Sequence, residues 1–73
     1  MNNEPKRDPR SRYYFKGAVM HFDRVVEGNF RAETMASSTR QARGNILHQF
    51  KKKAGLEPYA GGYRLDGMLE REA

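Results

Sequence analysis

Cysteine and tryptophan are missing from the 73-residue sequence, proline occurs three times, and no acidic residue lies between Glu33 and Glu57. Without cysteine there is no disulfide staple, no thiolate nucleophile and no Cys-based zinc site. Small secreted domains depend on such staples, so a reducing, cytoplasmic compartment is the expectation. Long apolar runs are missing too. Nothing approaches the roughly 18 residues of a membrane span or the roughly 7–15 of a signal core, so the chain is expected to be soluble, with no membrane partner.

A chain this short hides only about 60% of the surface that its unfolded form exposes, which leaves room for one small domain and no deep cleft. That argues against a self-contained enzyme. The sequence predicts neither a catalytic role, nor a cofactor, nor a small-molecule substrate.

What is present in excess is positive charge, 14 Lys+Arg against 9 Asp+Glu. It is unevenly spread. Residues 34–56 carry Arg40, Arg43, Lys51, Lys52 and Lys53 with no acid, and the N-terminal segment adds Lys6, Arg7, Arg10 and Arg12. Charge concentrated in this way produces a local field as well as a high isoelectric point.

Residues 1–11 are polar, dense in charge and contain two prolines, which predicts a flexible basic arm. Residues 12–22 then turn abruptly aromatic and β-branched, the composition of a strand. Glu27-Gly28-Asn29 reads as a turn, and residues 30–36 alternate as a second strand. Val25 and Val26 either extend one arm of this hairpin or belong to a long loop.

The helix has the best-marked boundaries. Ser38 with Gln41 three residues on fits a capping box, and Ala42, Ile46, Phe50 and Ala54 fall on one arc with Leu47 at its edge. Arg43 falls inside that arc and has to reach out along its aliphatic stem. Lys51, Lys52 and Lys53 complement the negative helix terminus, Gly55 suits the left-handed position beyond it, and Leu56 is placed to touch back near Phe50. These signals predict a helix over 39–54. Gly44 inside it costs about 1 kcal/mol relative to alanine, for which a closely approaching backbone is the expected reason. Gly61-Gly62 precedes a strand and so reads as a turn, not a phosphate loop. Residues 63–69 alternate as a third strand, and 71–73 are a short tail.

The order is therefore ββαβ, an α+β fold in which one helix packs on one face of a three-stranded antiparallel sheet, with the domain over 12–70. A lone helix covers one face. The first strand, however, carries Tyr13, Phe15 and Val19 on one side and Tyr14, Ala18, Met20 and Phe22 on the other. That departure from clean alternation predicts that a second molecule meets the helix-free face.

The stretch 14–22, the run AETMASSTRQARGNILHQFKKKAG over 32–55 and the closing YRLDGML over 63–69 resemble a group of small proteins of phages and conjugative elements of Gram-positive bacteria. The shared pattern is an aromatic two before Ala32, then Glu33-Thr34, Ala36, Gln41-Ala42, Asn45 and Phe50-Lys51-Lys52. Phe30 stands where that group carries Trp. The resemblance implies a mobile-element origin and the same element order, and it brings no activity or site residue with it.

Two functional constellations emerge. Arg40, Gln41, Gly44, Asn45, His48, Lys51 and Lys52 share the helix face opposite the apolar stripe, where a phosphate backbone meets no repelling acid, and Arg, Lys, Asn and Gln are side chains that read base edges. The plainer account is a solvated face whose lysines serve the helix dipole. The expected DNA or RNA contacts are Arg40, Arg43, Lys51, Lys52, Lys53 and Arg12, with Arg7 and Arg10 in an arm that tightens on binding. The alternative is a protein-interaction module or homodimer using the helix-free face, with Tyr13, Phe15, Val19 and Tyr63 as anchors. His21 and His48 lie on different elements with no acid at ligand spacing, so no metal site is predicted. Ser38 is committed to its cap, and no pair of acids is selected for acid–base work.

Overall fold

A computed structural model describes residues 10–72. Four elements follow in order: β1 (Ser11–His21), β2 (Arg24–Ala36), α1 (Thr39–Lys53) and β3 (Tyr63–Arg71). The three strands form an antiparallel sheet in the order β2-β1-β3, with α1 between β2 and β3 in sequence, which is the expected ββαβ arrangement. Strand β1 begins at Ser11, one residue inside the segment expected to be an arm; residues 1–9, including Lys6 and Arg7, lie outside the described residues.

The hairpin differs from the sequence expectation. His21 pairs directly with Arg24, so the turn is the two residues Phe22-Asp23 rather than Glu27-Gly28-Asn29. Phe22 sits at φ 55° with no positive φ at Asp23, the sign pattern of a type II′ turn, whose first position ordinarily holds glycine. Its neighbours hold it there: the Phe22 amide donates to the Gly62 carbonyl at 2.8 Å. The ring lies so close over Gly62 that a Cβ on that glycine would stand 2.6 Å from its Cζ. Glu27-Gly28-Asn29 is instead where β2 slips past β1, the pairing moving from Gly17↔Phe30 to Val19↔Glu27 and then to Met20↔Val25. The extra residues make this a bulged stretch, and Gly and Asn suit a bulge for the same reason that they suit a turn.

The core is Phe15, Val19, Phe30, Ile46 and Phe50, continued by Tyr13, Ala36 and Ala42. Phe30 meets Phe50 edge-on with centroids 5.5 Å apart, joining sheet to helix. Burying side chains such as Ile46 and Phe50 contributes about 1.5–3 kcal/mol each. Ala54 is exposed, because α1 stops at Lys53 and Ala54 serves as its cap.

The expected anchors of the helix-free face lie on the other side. Tyr13, Phe15 and Val19 are 5%, 2% and 0% exposed beneath α1, and Tyr63 is half-buried against the same core. β1 alone leaves the choice of face open, since it is apolar on both. Its neighbours decide: in register with Phe15 stand Ala32 and Leu69, and beside Val19 stands Leu65. The opposite face sets Tyr14 between Glu33 and Glu70, and Lys16 between Arg31 and Met68. The helix covers the side on which all three strands are apolar. The helix-free side is therefore a mixed surface: Tyr14, Met35 and Met68 stand among charges, and Ala18, Met20 and Val25 add apolar area toward the hairpin end, where Asp66 and Arg64 adjoin them.

Candidate nucleic-acid interface

The candidate interface lies on α1, and the helix is fixed at both ends. The Ser38 hydroxyl accepts from the Gln41 amide at 3.1 Å, as expected for an N-cap. The returning Gln41 side chain reaches one residue further than a capping box requires: its Oε1 accepts from the Ser37 amide at 2.6 Å and the Ser37 hydroxyl at 2.9 Å. Beyond the C-terminus, Gly55 at φ 74° donates to the Lys52 carbonyl and Leu56 donates to that of Lys51, which is a Schellman motif. Leu56 packs back against the core.

One flank of the helix closes the outer edge of β2. Asn45 Nδ2 donates to Thr34 Oγ1 at 3.2 Å and to the Met35 carbonyl at 3.3 Å, and Gln49 Nε2 donates to the Glu33 carbonyl at 3.0 Å. With Gln41 on Ser37, three carboxamides spaced by four along the helix meet three residues spaced by two, Glu33 and Met35 on β2 and Ser37 just past its end. The repeats match, about 6 Å per four helical residues against about 6.8 Å per two strand residues. Gln41 and Asn45, expected on the outward face as readers of base edges, are thus committed within the fold. The i, i+4, i+8 spacing of Gln41, Asn45 and Gln49 was the signal for this role.

What remains outward is cationic. Arg40, Arg43, His48 and Lys52 are exposed along α1, and none of its five Lys/Arg residues is ion-paired among the described residues. Two cations have local partners. Lys51 Nζ donates to the Pro58 carbonyl at 3.2 Å, and Lys53 Nζ stands 5.7 Å over the Phe30 ring, turned toward the sheet. An ammonium keeps further donors in the first case, so Lys51 stays competent for phosphate. Lys53 is engaged through its charge and is displaced from the outward row.

Arg12 does not join this surface. On the helix-free face it bonds Glu33 at 3.2 Å and lies 3.9 Å from Glu72. Tyr14 is part of that network, its phenol donating to Glu72 at 2.9 Å, and this hydrogen bond to a carboxylate is the main cause that raises its pKa above 10.0. Gly44 has nothing within 4 Å of the position a Cβ would take, so no backbone of this chain approaches it. Among the described residues no three His, Cys, Asp or Glu side chains are grouped to hold a metal, and no helix is long and apolar enough to cross a membrane. His21 stacks on Tyr63 with centroids 4.2 Å apart.

Compared with known proteins, the chain matches no family model, no curated protein and no solved structure.

Proposed function

We propose that this chain is a nucleic-acid-binding accessory protein that holds phosphates along the outer face of α1. The observation that carries the reading is the set of cations on α1, Arg40, Lys51 and Lys52 toward its outer face with Arg43 at the flank beside the apolar stripe, unopposed by any acid on the element. Such a set attracts a polyanion by charge and counterion release. With Gln41 and Asn45 bonded inward, the face offers cations and little to read bases, which favours binding set by the backbone over binding set by sequence. Service to a mobile genetic element rests on the resemblance of residues 14–22, 32–55 and 63–69.

A protein-interaction module or homodimer using the helix-free sheet face is the second reading, and the charges beside Tyr14 and Lys16 support it less well. The test is a retardation assay with duplex DNA, single-stranded DNA and RNA at about 50 mM salt, repeated at about 200 mM. Binding to any of them that weakens steeply with salt supports the proposal. No retention at the lower salt overturns it.

A further inference from the structure

The two outer edges of the sheet are treated differently. On β2 the Met35 and Glu33 carbonyls are capped by Asn45 and Gln49, and the Asn29 amide is met by the Glu27 carboxylate at 3.1 Å. The outer edge of β3 receives no such cover. Bonds from the Glu72 amide to the Arg12 carbonyl and from the Phe22 amide to the Gly62 carbonyl, each 2.8 Å, flank the β1–β3 ladder in its own register. The hydrogen-bonded pairs of that ladder therefore fall on the even-numbered residues of β3. Tyr63, Leu65, Gly67, Leu69 and Arg71 direct their N–H and C=O groups outward. No described residue bonds them. An uncovered edge of this length is a template for another strand.

We infer that the outer edge of β3 pairs with β3 of a second copy of this chain, antiparallel and centred on Gly67, to make a six-stranded sheet. The sequence around Gly67 is what selects this occupant and this register. Centring on Gly67 brings Leu65 opposite Leu69 of the other copy, Tyr63 opposite Arg71, and Arg64 opposite Glu70, each of them twice. The outward backbone groups of both copies meet in register. Arg64 and Glu70 fall at the non-hydrogen-bonded positions, where side chains approach most closely, so their opposite charges count. Sliding the partner by one pleat in one direction sets Asp66 against Asp66. Sliding it in the other sets Asp66 against Glu70. Both neighbouring registers place like charges face to face; the second also brings Arg64 opposite Glu72, a carboxylate already held by Tyr14 and Arg12, and the centred register alone pairs opposite charges with no like-charged pair beside them.

The pairing keeps both helices on the same side of the joined sheet, because residues opposite one another in an antiparallel pair share a face. Leu65 and Leu69, half-buried under α1 in one copy, continue the core across the join. This inference stands apart from the nucleic-acid reading, since neither Arg64 nor Glu70 belongs to the cationic helix row.

The test is a charge swap read by sedimentation equilibrium and amide hydrogen exchange on the full chain. The unaltered chain is expected to dimerise with concentration, gaining protection at the amides of Leu65, Gly67 and Leu69. Arg64→Glu and Glu70→Arg are each expected to weaken dimerisation by about tenfold or more, since each replaces two attractive pairs by two repulsive ones. The double variant, with charges exchanged, is expected to recover it. Arg64 and Glu70 lie six residues apart on one strand and do not meet within a copy, so recovery has to arise between copies. A concentration-independent monomer, a dimer whose Leu65, Gly67 and Leu69 amides exchange freely, or a double variant no better than the singles would each overturn the inference.

Discussion

Gln49 donates its side-chain amide to the Glu33 carbonyl at 3.0 Å, and by this contact the helix reaches past the apolar core to the edge of the sheet. Asn45 repeats the contact one turn earlier, on Met35 and Thr34. Both carbonyls belong to a strand edge that would otherwise face water, so each bond contributes a modest net stability and also denies that edge to a foreign strand.

Asn45→Ala is accordingly expected to be destabilising. Losing the bonds to Thr34 and Met35 costs about 1–2 kcal/mol, offset by roughly 0.5 kcal/mol of better helix propensity, for a net loss of about 1 kcal/mol. In a domain of this size that corresponds to a melting temperature lower by about 4–8 °C, measurable by circular dichroism. An unchanged melting temperature would remove the edge-capping role.

The glycines separate into two kinds, and alanine distinguishes them. At Gly44 the space for a Cβ is open, so Gly44→Ala is expected to stabilise the chain by about 1 kcal/mol through helix propensity alone. At Gly67 a Cβ would stand 2.5 Å from the Lys16 carbonyl oxygen and 2.6 Å from the Gly17 Cα, backbone atoms of the adjoining strand. Gly67→Ala is expected to cost roughly 1–3 kcal/mol, as overpacking does. Urea midpoints moving in opposite directions for the two variants are the expected result.

The contrast bears on how much the sequence made legible. Helix limits, Schellman end and element order followed from local signals: Ser38 before an acid-free helix, Gly55 after it, the aromatic and β-branched composition of β1, and alternation in residues 30–36 and 63–69. The covered sheet face did not, because β1 is apolar on both sides and only the register with Ala32, Leu65 and Leu69 decides. The hairpin turn also escaped, since Phe22 holds its positive φ through Gly62, forty residues away in sequence. Gly28 and Asn29 carry the chemistry of both a turn and a bulge, and pairing with a second strand is what separates the two. At the candidate site, the cations were legible from composition. Which of them stay outward depended on Pro58, Phe30 and Glu33, partners no local pattern names.

The Tyr14 phenol gives a pH signature to the helix-free face. Its hydrogen bond to the Glu72 carboxylate favours the protonated form, and partial desolvation and the negative charge of Glu72 act in the same direction, while Arg12 opposes them. A folded-state pKa raised above the unfolded value of about 10 gives stability that is fully present below pH 10 and is lost as pH rises through the folded pKa. NMR titration of the Tyr14 ring is expected to show deprotonation at higher pH in the unaltered chain than in Glu72→Gln. Coincident titrations would mean that the Tyr14–Glu72 bond is not formed in solution.

The cationic row and the Arg12 network predict different responses to charge removal. If phosphates lie along α1, neutralising Arg40 and Lys52 together removes two contacts from a row of about four, and the slope of log K against log salt, expected near −3 to −4, should become shallower by about two. The affinity lost should be similar for unrelated sequences, since backbone contacts carry no base information. Arg12→Ala is the matched control. It removes one positive charge from the chain but acts on the opposite face, where it breaks the bond to Glu33 and the looser ion pair with Glu72, so the salt slope should stay as it was. Equal effects of Arg12→Ala and Arg40→Ala would mean that net charge, and not the outer face of α1, governs binding.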